Sequence, residues 1–297
     1  MRLVLTNDDR LGVLKDDGMV DVSAAFADIR FRTAHDRMPR VIASLVERRA
    51  RVDAMVATGT PRALPGLQAP VPRPPKLIAA FGNYREDTNR ERQKQDMFLE
   101  SPDSVIGPGG TVLLPDHSAS IFHHEAELAL VIGQRAKDLP ADDRALAALA
   151  GYTCAIDVSA RGLGRIGPAR IGKSFDTFTP LGPALVTPDE VPDPQNLRVT
   201  LAVNGEPRQD YSTADMEYGV VEILAFISSI MTLVPGDVVL CGTNHQGLGA
   251  LQDGDQVEMT IAGVGTLAVS VRDPQHREWP RGVDQEMAAT QRAVGNR

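Results

Sequence analysis

The stretch IFHHEAELALVIG, residues 121–133, decides how this chain is read. As a strand, its alternation sends Glu125 and Glu127 to one face and Ala126, Leu128 and Leu130 to the other. Two readings fit such a pair. On a solvated face the two carboxylates need no explanation, because charges ordinarily sit outside. On a buried face each is costly to desolvate and the two repel, and a bound cation removes both costs. Downstream, GYTCAIDVSAR at 151–161 puts Asp157 where an apolar run gives way to a loop. Three carboxylates with no thiolate or imidazole at a fixed spacing suit a hard cation, Mg²⁺ or Mn²⁺, with water or substrate oxygens completing an octahedron. That context favours the metal reading. His123 and His124 abut the pair, and alternation aims His123 with the glutamates and His124 away from them.

Composition narrows the classes of protein. The 297 residues are enough for a large catalytic domain with a smaller one attached, and 42% hydrophobic content supports a full core. A formal charge of -8 and a pI near 5.3, with no basic block, argue against a nucleic-acid surface. No apolar run approaches the roughly 20 residues that span a bilayer, and the start MRLVLTNDDR turns acidic before a signal-like core forms. The expectation is a cytoplasmic protein with no membrane partner. Cys154 and Cys241 stand far apart and outside any C-x-x-C arrangement, so they read as buried free thiols.

Residues 2–6, 11–14 and 19–22 are short apolar runs separated by NDD and KDDG, a meander of strands, and 39–55 has helical periodicity. A small N-terminal α+β domain over 1–70 follows, closed by the proline-rich QAPVPRPPK at 68–76. The main domain, 71–275, opens with KLIAAFG at 76–82, a buried strand delivering Asn83 and Tyr84 to a loop. The charged run REDTNRERQKQDMFLE, 85–100, reads either as a solvated helix or as a lid that orders over a ligand. Further on, Arg161, Arg165, Arg170 and Lys173 punctuate a glycine-rich stretch. Lys173 is the strongest candidate for binding a carboxylate or a developing oxyanion, because glycine lets the backbone approach a ligand there. Residues 216–233 predict a long packing helix, PGDVVLCGTNHQGLG at 235–249 a strand running into a loop with Thr243, Asn244 and His245, and 276–297 a polar C-terminal tail.

Taken together, NY at 83–84, E-x-E followed by LALVIG, GYT-x-x-x-DVSAR, GKSFDTF-x-P-LGP, VNGE, TL-x-PGD and GT followed by G-x-G resemble, in this order, the fumarylacetoacetate hydrolase family. The resemblance covers about residues 76–272. It implies an α+β fold, a mixed β-roll or sandwich with flanking helices, in a homodimer acting on small acidic 1,3-dicarbonyl or 2-oxo compounds with Mg²⁺ or Mn²⁺. It implies further that Glu125, Glu127 and Asp157 hold the metal, that Arg161 and Lys173 contact substrate, and that Asn83, Tyr84 and Thr243 lie in the same pocket. A dication chelated by two substrate oxygens stabilises an enolate, which serves C–C hydrolysis, decarboxylation and movement of a double bond alike.

The acid–base residues depart from the family pattern. Many members place His three residues after the Tyr of NY and Glu three further on; Asp87 and Arg90 stand here. Gly162 and Gly164 replace an Asp and a Gln, Glu100 replaces a Lys, and GTNHQGLG is one residue longer than usual. Asp87, or His245 in the lengthened loop, is the candidate replacement for the missing imidazole, although His245 can equally serve only to hydrogen-bond its own loop. The expected activity is metal-dependent hydrolysis of a C–C bond in an acylpyruvate or fumarylacetoacetate-like compound. The alternatives are a decarboxylase, hydratase or keto–enol tautomerase of a 2-oxo acid, or a metal-binding member without turnover.

Overall fold

The decisive stretch forms the strand Ala126–Ile132, and every residue of it is buried. The computed structural model describes residues 1–16, 18–86, 91–163 and 169–294, with side chains placed for all but 169–170 and 291–294. Within these, Ala126–Ile132 pairs antiparallel with Leu149–Ile156 on one side and Val238–Leu240 on the other. The sheet continues past the first to Thr179–Val186 and Arg2–Thr6, and past the second to Leu77–Ala80 and the edge strand Met97–Glu100. A five-stranded sheet contains Arg198–Val203, Gln256–Ile261 and Gly265–Arg272, and a two-stranded ribbon joins Ile121–His123 to Ser159–Arg161.

Alternation along the central strand builds two cores. Leu128, Leu130 and Ile132 join Cys154, Leu201, Met259 and Leu267, so one face packs on the five-stranded sheet and on the helix Val220–Ile230. Ala129 and Val131 join Leu3, Leu185 and the helix residues Val41, Ile42, Leu45 and Val52 on the other face. Glu127 belongs to this second face by register, at the end of the strand where the apolar packing stops. The fold is α+β, as expected, and among the described residues no helix is long and apolar enough to cross a membrane.

The N-terminal meander forms as Arg2–Thr6, Leu11–Lys15 and Gly18–Asp21, with helices Arg37–Ala43 and Leu45–Thr58 behind it. Leu3 pairs with Leu185, so segments 1–70 and 71–275 share one sheet. Three expectations change. The charged run is not a helix in its described part: 91–96 is irregular and Met97–Glu100 is a strand on Leu77–Ala80, because Phe98 and Glu100 turn inward. The helix expected over 216–233 spans only Val220–Ile230. Its start is set by the Gly219 N–H donating to Glu222 Oε2 at 2.9 Å, and before it the Glu217 and Tyr218 N–H groups bond Asn83. The C-terminal segment read as a polar tail carries the helix Gln285–Val294, with Ala288 fully buried.

Candidate metal centre

Glu125 lies in a break between two strands. Ile121–His123 pairs with Ser159–Arg161, Ala126–Ile132 pairs with Leu149–Ile156, and His124 and Glu125 bridge the change of partner. At the crossing the Asp157 N–H donates to the Glu125 carbonyl at 2.8 Å, which sets two carboxylates opposite each other. Gln209, from the far sheet, pins the break. Its Oε1 accepts from the Ala126 N–H at 3.0 Å and lies 3.2 Å from His124 Nδ1, while its Nε2 donates to Thr243 Oγ1 at 2.8 Å and to the Asn244 carbonyl at 2.7 Å. Sequence reading missed Gln209, and only an unexplained buried amide on an edge strand could have flagged it.

Glu125, Glu127 and Asp157 are buried, with one ligand oxygen of each within 4.8 Å of the others. Lys173 Nζ donates to Glu125 Oε2 at 2.6 Å and to Asp157 Oδ2; Arg161 Nη2 donates to Glu125 Oε1, which also takes the Ser159 hydroxyl at 3.1 Å. Glu127 Oε2 accepts from the Gly242 N–H at 2.5 Å. Gly242 has φ +86°, a left-handed conformation open to glycine at little cost, so the chain can turn directly after the N–H that Glu127 accepts.

The electrostatics are uneven. Burial would raise the Glu125 pKa, but the Lys173 and Arg161 charges outweigh it and hold the carboxyl far below its ordinary value. Burial pushes Asp157 up to about 6, the Glu125 charge adding to the rise and Lys173 opposing it. Glu127 rises well above its ordinary value through burial and the Asp157 charge. Burial would lower the Lys173 pKa, yet Asp157, Glu125 and Glu100 more than restore it.

This donor set fits a hard dication. It is all oxygen and buried, and Asp157 Oδ1 has no hydrogen-bond partner among the described residues. Two carboxyls whose pKa values are driven upward by burial and by like charge would be held ionised by a bound cation.

The structure brings Arg161, Lys173, Thr243 and His245 to one cavity with Glu125, Glu127, Phe81 and Gly242. Asn83 and Tyr84 do not line it. The Asn83 amide donates to the Tyr218 and Cys241 carbonyls at 3.0 and 2.9 Å and accepts from the Tyr218 N–H at 2.9 Å, so it braces two loops. Tyr84 is buried edge-on against Tyr211, ring centroids 5.0 Å apart. Asp87, with Arg90, lies outside the described residues. Two further acids appear. Glu86 Oε1 lies 2.5 Å from His245 Nδ1, and Glu100 is buried with neither oxygen hydrogen-bonded among the described residues, its pKa pushed well up by burial and by Asp157. Nδ1 of His123 lies 3.5 Å from Nε of Arg161, and burial and the Arg161 charge hold the His123 pKa down at about 4.

Three buried carboxylates that could hold a dication, framed by a buried lysine and arginine, are a donor set that suits an enzyme using a hard metal ion. Residues 76–272 match the model of the fumarylacetoacetate (FAA) hydrolase C-terminal domain, and the chain belongs to the fumarylacetoacetate hydrolase family. The maleylpyruvate hydrolase of Aquipseudomonas alcaligenes is 34% identical over 295 residues, 92% of this chain and 99% of that protein. The mitochondrial oxaloacetate tautomerase FAHD2A of Bos taurus is 39% identical over 221 residues, 70% of this chain and 69% of its own. Among solved structures, the maleylpyruvate hydrolase of Sphingobium sp. SYK-6 in complex with manganese(II) and pyruvate superposes with a TM-score of 0.82 at 32% identity, over 92% of this chain and 99% of that one. Of these three, two are maleylpyruvate hydrolases and one is an oxaloacetate tautomerase, and one was solved with manganese(II) and pyruvate.

Proposed function

We propose that this protein is a divalent-metal-dependent hydrolase that cleaves a C–C bond in an acidic 1,3-dicarbonyl compound of the acylpyruvate class, with Mg²⁺ or Mn²⁺ held by Glu125, Glu127 and Asp157. The observation that carries the reading is a cavity lined by Glu125 and Glu127 of the acidic triad, by Lys173 and Arg161, and by a histidine paired with Glu86, with Asp157 completing the triad behind it. Similarity over nearly the whole chain to maleylpyruvate hydrolases supports it.

When bound, the dication supplies Lewis-acid polarisation of two substrate oxygens. The remaining chemistry belongs to the side chains. Three carboxylates set against Lys173, Arg161 and a dication leave one net positive charge, which suits a substrate carboxylate. Arg161 presents a planar fork to that carboxylate, and Lys173, held by Glu125 and Asp157, a fixed point charge to the oxygen on which negative charge develops. If Nδ1–H of His245 donates to Glu86, Nε2 is left as the proton acceptor, so the pair acts as a base for water. Water oxygen then adds to the acyl carbonyl carbon as His245 takes its proton, the bond from that carbon to the methylene between the carbonyls breaks with its electron pair going to the methylene, and the methylene carbon takes the proton, giving two acids.

Glu86 is held for this task. It has φ +56°, uncommon for a residue with a side chain, and its N–H donates to Asp215 Oδ2 at 2.9 Å while its carbonyl accepts from Gln246 Nε2 at 3.3 Å. The likeness to an oxaloacetate tautomerase favours one second reading, proton transfer on a 2-oxo diacid by the same groups without water addition. Incubation of an acylpyruvate with the metal-loaded protein in heavy-oxygen water separates the two. Hydrolysis puts one heavy oxygen in the released carboxylate; a mass-neutral product or loss of CO₂ rejects it.

A further inference from the structure

The family match ends at residue 272, yet the chain beyond it returns to the metal centre. Trp279 donates its indole N–H to the Ser120 carbonyl at 2.7 Å and exchanges hydrogen bonds with the Gln252 side chain. Arg277 lies over the rings of Phe122 and Trp279, its guanidinium carbon 4.8 and 5.8 Å from their centroids, and is tied to Asp273. These contacts deliver Asp284, whose N–H donates to the Leu248 carbonyl at 2.7 Å. Asp284 is the N-cap of the helix Gln285–Val294: its Oδ1 accepts from the Met287 N–H at 2.8 Å. That leaves Oδ2, which lies 3.4 Å from Nε2 of the fully buried His123. On the other side of the ring, Nδ1 of His123 lies 3.5 Å from Nε of Arg161, whose Nη2 donates to the metal ligand Glu125.

Among the described residues Nε2 makes no hydrogen bond, so Asp284 acts on it as a nearby charge, while the Nδ1 contact is a long hydrogen bond; their order on the ring favours one position for the proton. A carboxylate oxygen at Nε2 favours N–H there, and a guanidinium N–H at Nδ1 needs a lone pair. We infer that the C-terminal segment is a positioning strap, in which Asp284 holds His123 as the Nε2–H tautomer so that its Nδ1 lone pair aims the Arg161 guanidinium at the substrate carboxylate. The relay deepens the function proposed above and rests on it only for its effect on substrate; the geometry of the relay itself does not depend on the reaction. His123 and Asp284 are positioning residues here, acting through Arg161. Partners of this kind are worth about tenfold or more when removed.

Two measurements test the strap. In protein labelled with nitrogen-15 histidine, the signals absent from a His123→Asn variant belong to His123, and they are expected to report a protonated Nε2 and an unprotonated Nδ1. Asp284→Asn should reverse them, because the cap keeps the amide oxygen on Met287 and turns the NH₂ toward His123. A wild-type Nδ1–H tautomer, an imidazolium, or no response to Asp284→Asn overturns the proposal whatever the enzyme's reaction. The second measurement is pyruvate affinity of the Mn²⁺-loaded protein. His123→Asn, which keeps an acceptor at the Nδ1 position, should bind pyruvate within about threefold of wild type; His123→Leu, which fills the volume without one, should weaken it about tenfold. Equal affinities in the two variants, or a better-binding leucine, would make His123 mere packing and refute the relay. A wild type that shows the expected tautomer but binds no pyruvate leaves the relay standing and counts against the proposed function.

Discussion

Nδ1 of His245 lies 2.5 Å from Oε1 of Glu86, two residues 159 positions apart that both border the departures from the family pattern. The longer loop carries the imidazole, and the segment after Asn83 and Tyr84 carries its carboxylate, so a His–Glu pair exists here from different residues. His245→Gln is expected to lower kcat by about a hundredfold or more with little change in KM. Glu86→Gln should lower kcat less, because the imidazole survives without its fixed tautomer. An unchanged kcat in His245→Gln would remove the pair from the mechanism.

Among the described residues, Asp157 supplies a buried triad oxygen, Oδ1, with no hydrogen-bond partner. Asp157→Asn keeps the volume and removes the charge, and its Mn²⁺ affinity, read by titration, is expected to fall by well over tenfold, with turnover lost in parallel. A variant that keeps full metal-dependent turnover would contradict the ligand assignment.

The raised carboxyls give the metal-free protein a definite pH behaviour. Asp157 has a folded pKa of about 6, against about 3.9 for the unfolded chain, so its contribution to stability is fully present below about pH 4 and is lost as pH rises through 6. Glu127 is shifted in the same direction. A dication removes that loss, so the rise in Tm on adding Mg²⁺ or Mn²⁺ should be small at pH 5 and larger at pH 8. A shift that shrinks as pH rises would contradict this picture.

Glu100 is a fourth buried carboxyl beside the cluster, and its oxygens have no hydrogen-bond partner among the described residues. A buried polar group left this way costs about 1–3 kcal/mol, more when ionised. Its pKa is also raised, by burial and by Asp157, so the cost grows as pH rises. Glu100→Leu is expected to raise the Tm of the metal-free protein, more at pH 8 than at pH 5. A lower Tm at both would show that the carboxyl has a stabilising partner.

What the sequence made legible was what short-range rules reach. Alternation put Glu125 with Glu127, and the motifs beyond supplied Asp157, Arg161 and Lys173, all of which meet in one site. It did not show that the strand breaks at His124 and Glu125, because the break is imposed by Gln209 from another sheet. The NY motif of the family resemblance places Asn83 in the pocket, but its amide is consumed by three backbone groups that no local pattern reveals. The charged run 85–100 carries helix-like charge spacing, and pairing with Leu77–Ala80 overrides that in its last four residues. Asp284 looked like part of a polar tail because a single cap residue has no periodicity to announce it.

The most direct test of the account is turnover of chelator-stripped protein on acylpyruvates and on oxaloacetate, with and without Mg²⁺ or Mn²⁺, with products read by mass. The prediction is no reaction without metal and, on adding it back, cleavage of an acylpyruvate into two acids. Cleavage that proceeds equally without metal, or a metal-dependent product of unchanged mass, would contradict the assignment of this protein as a metal-dependent C–C hydrolase.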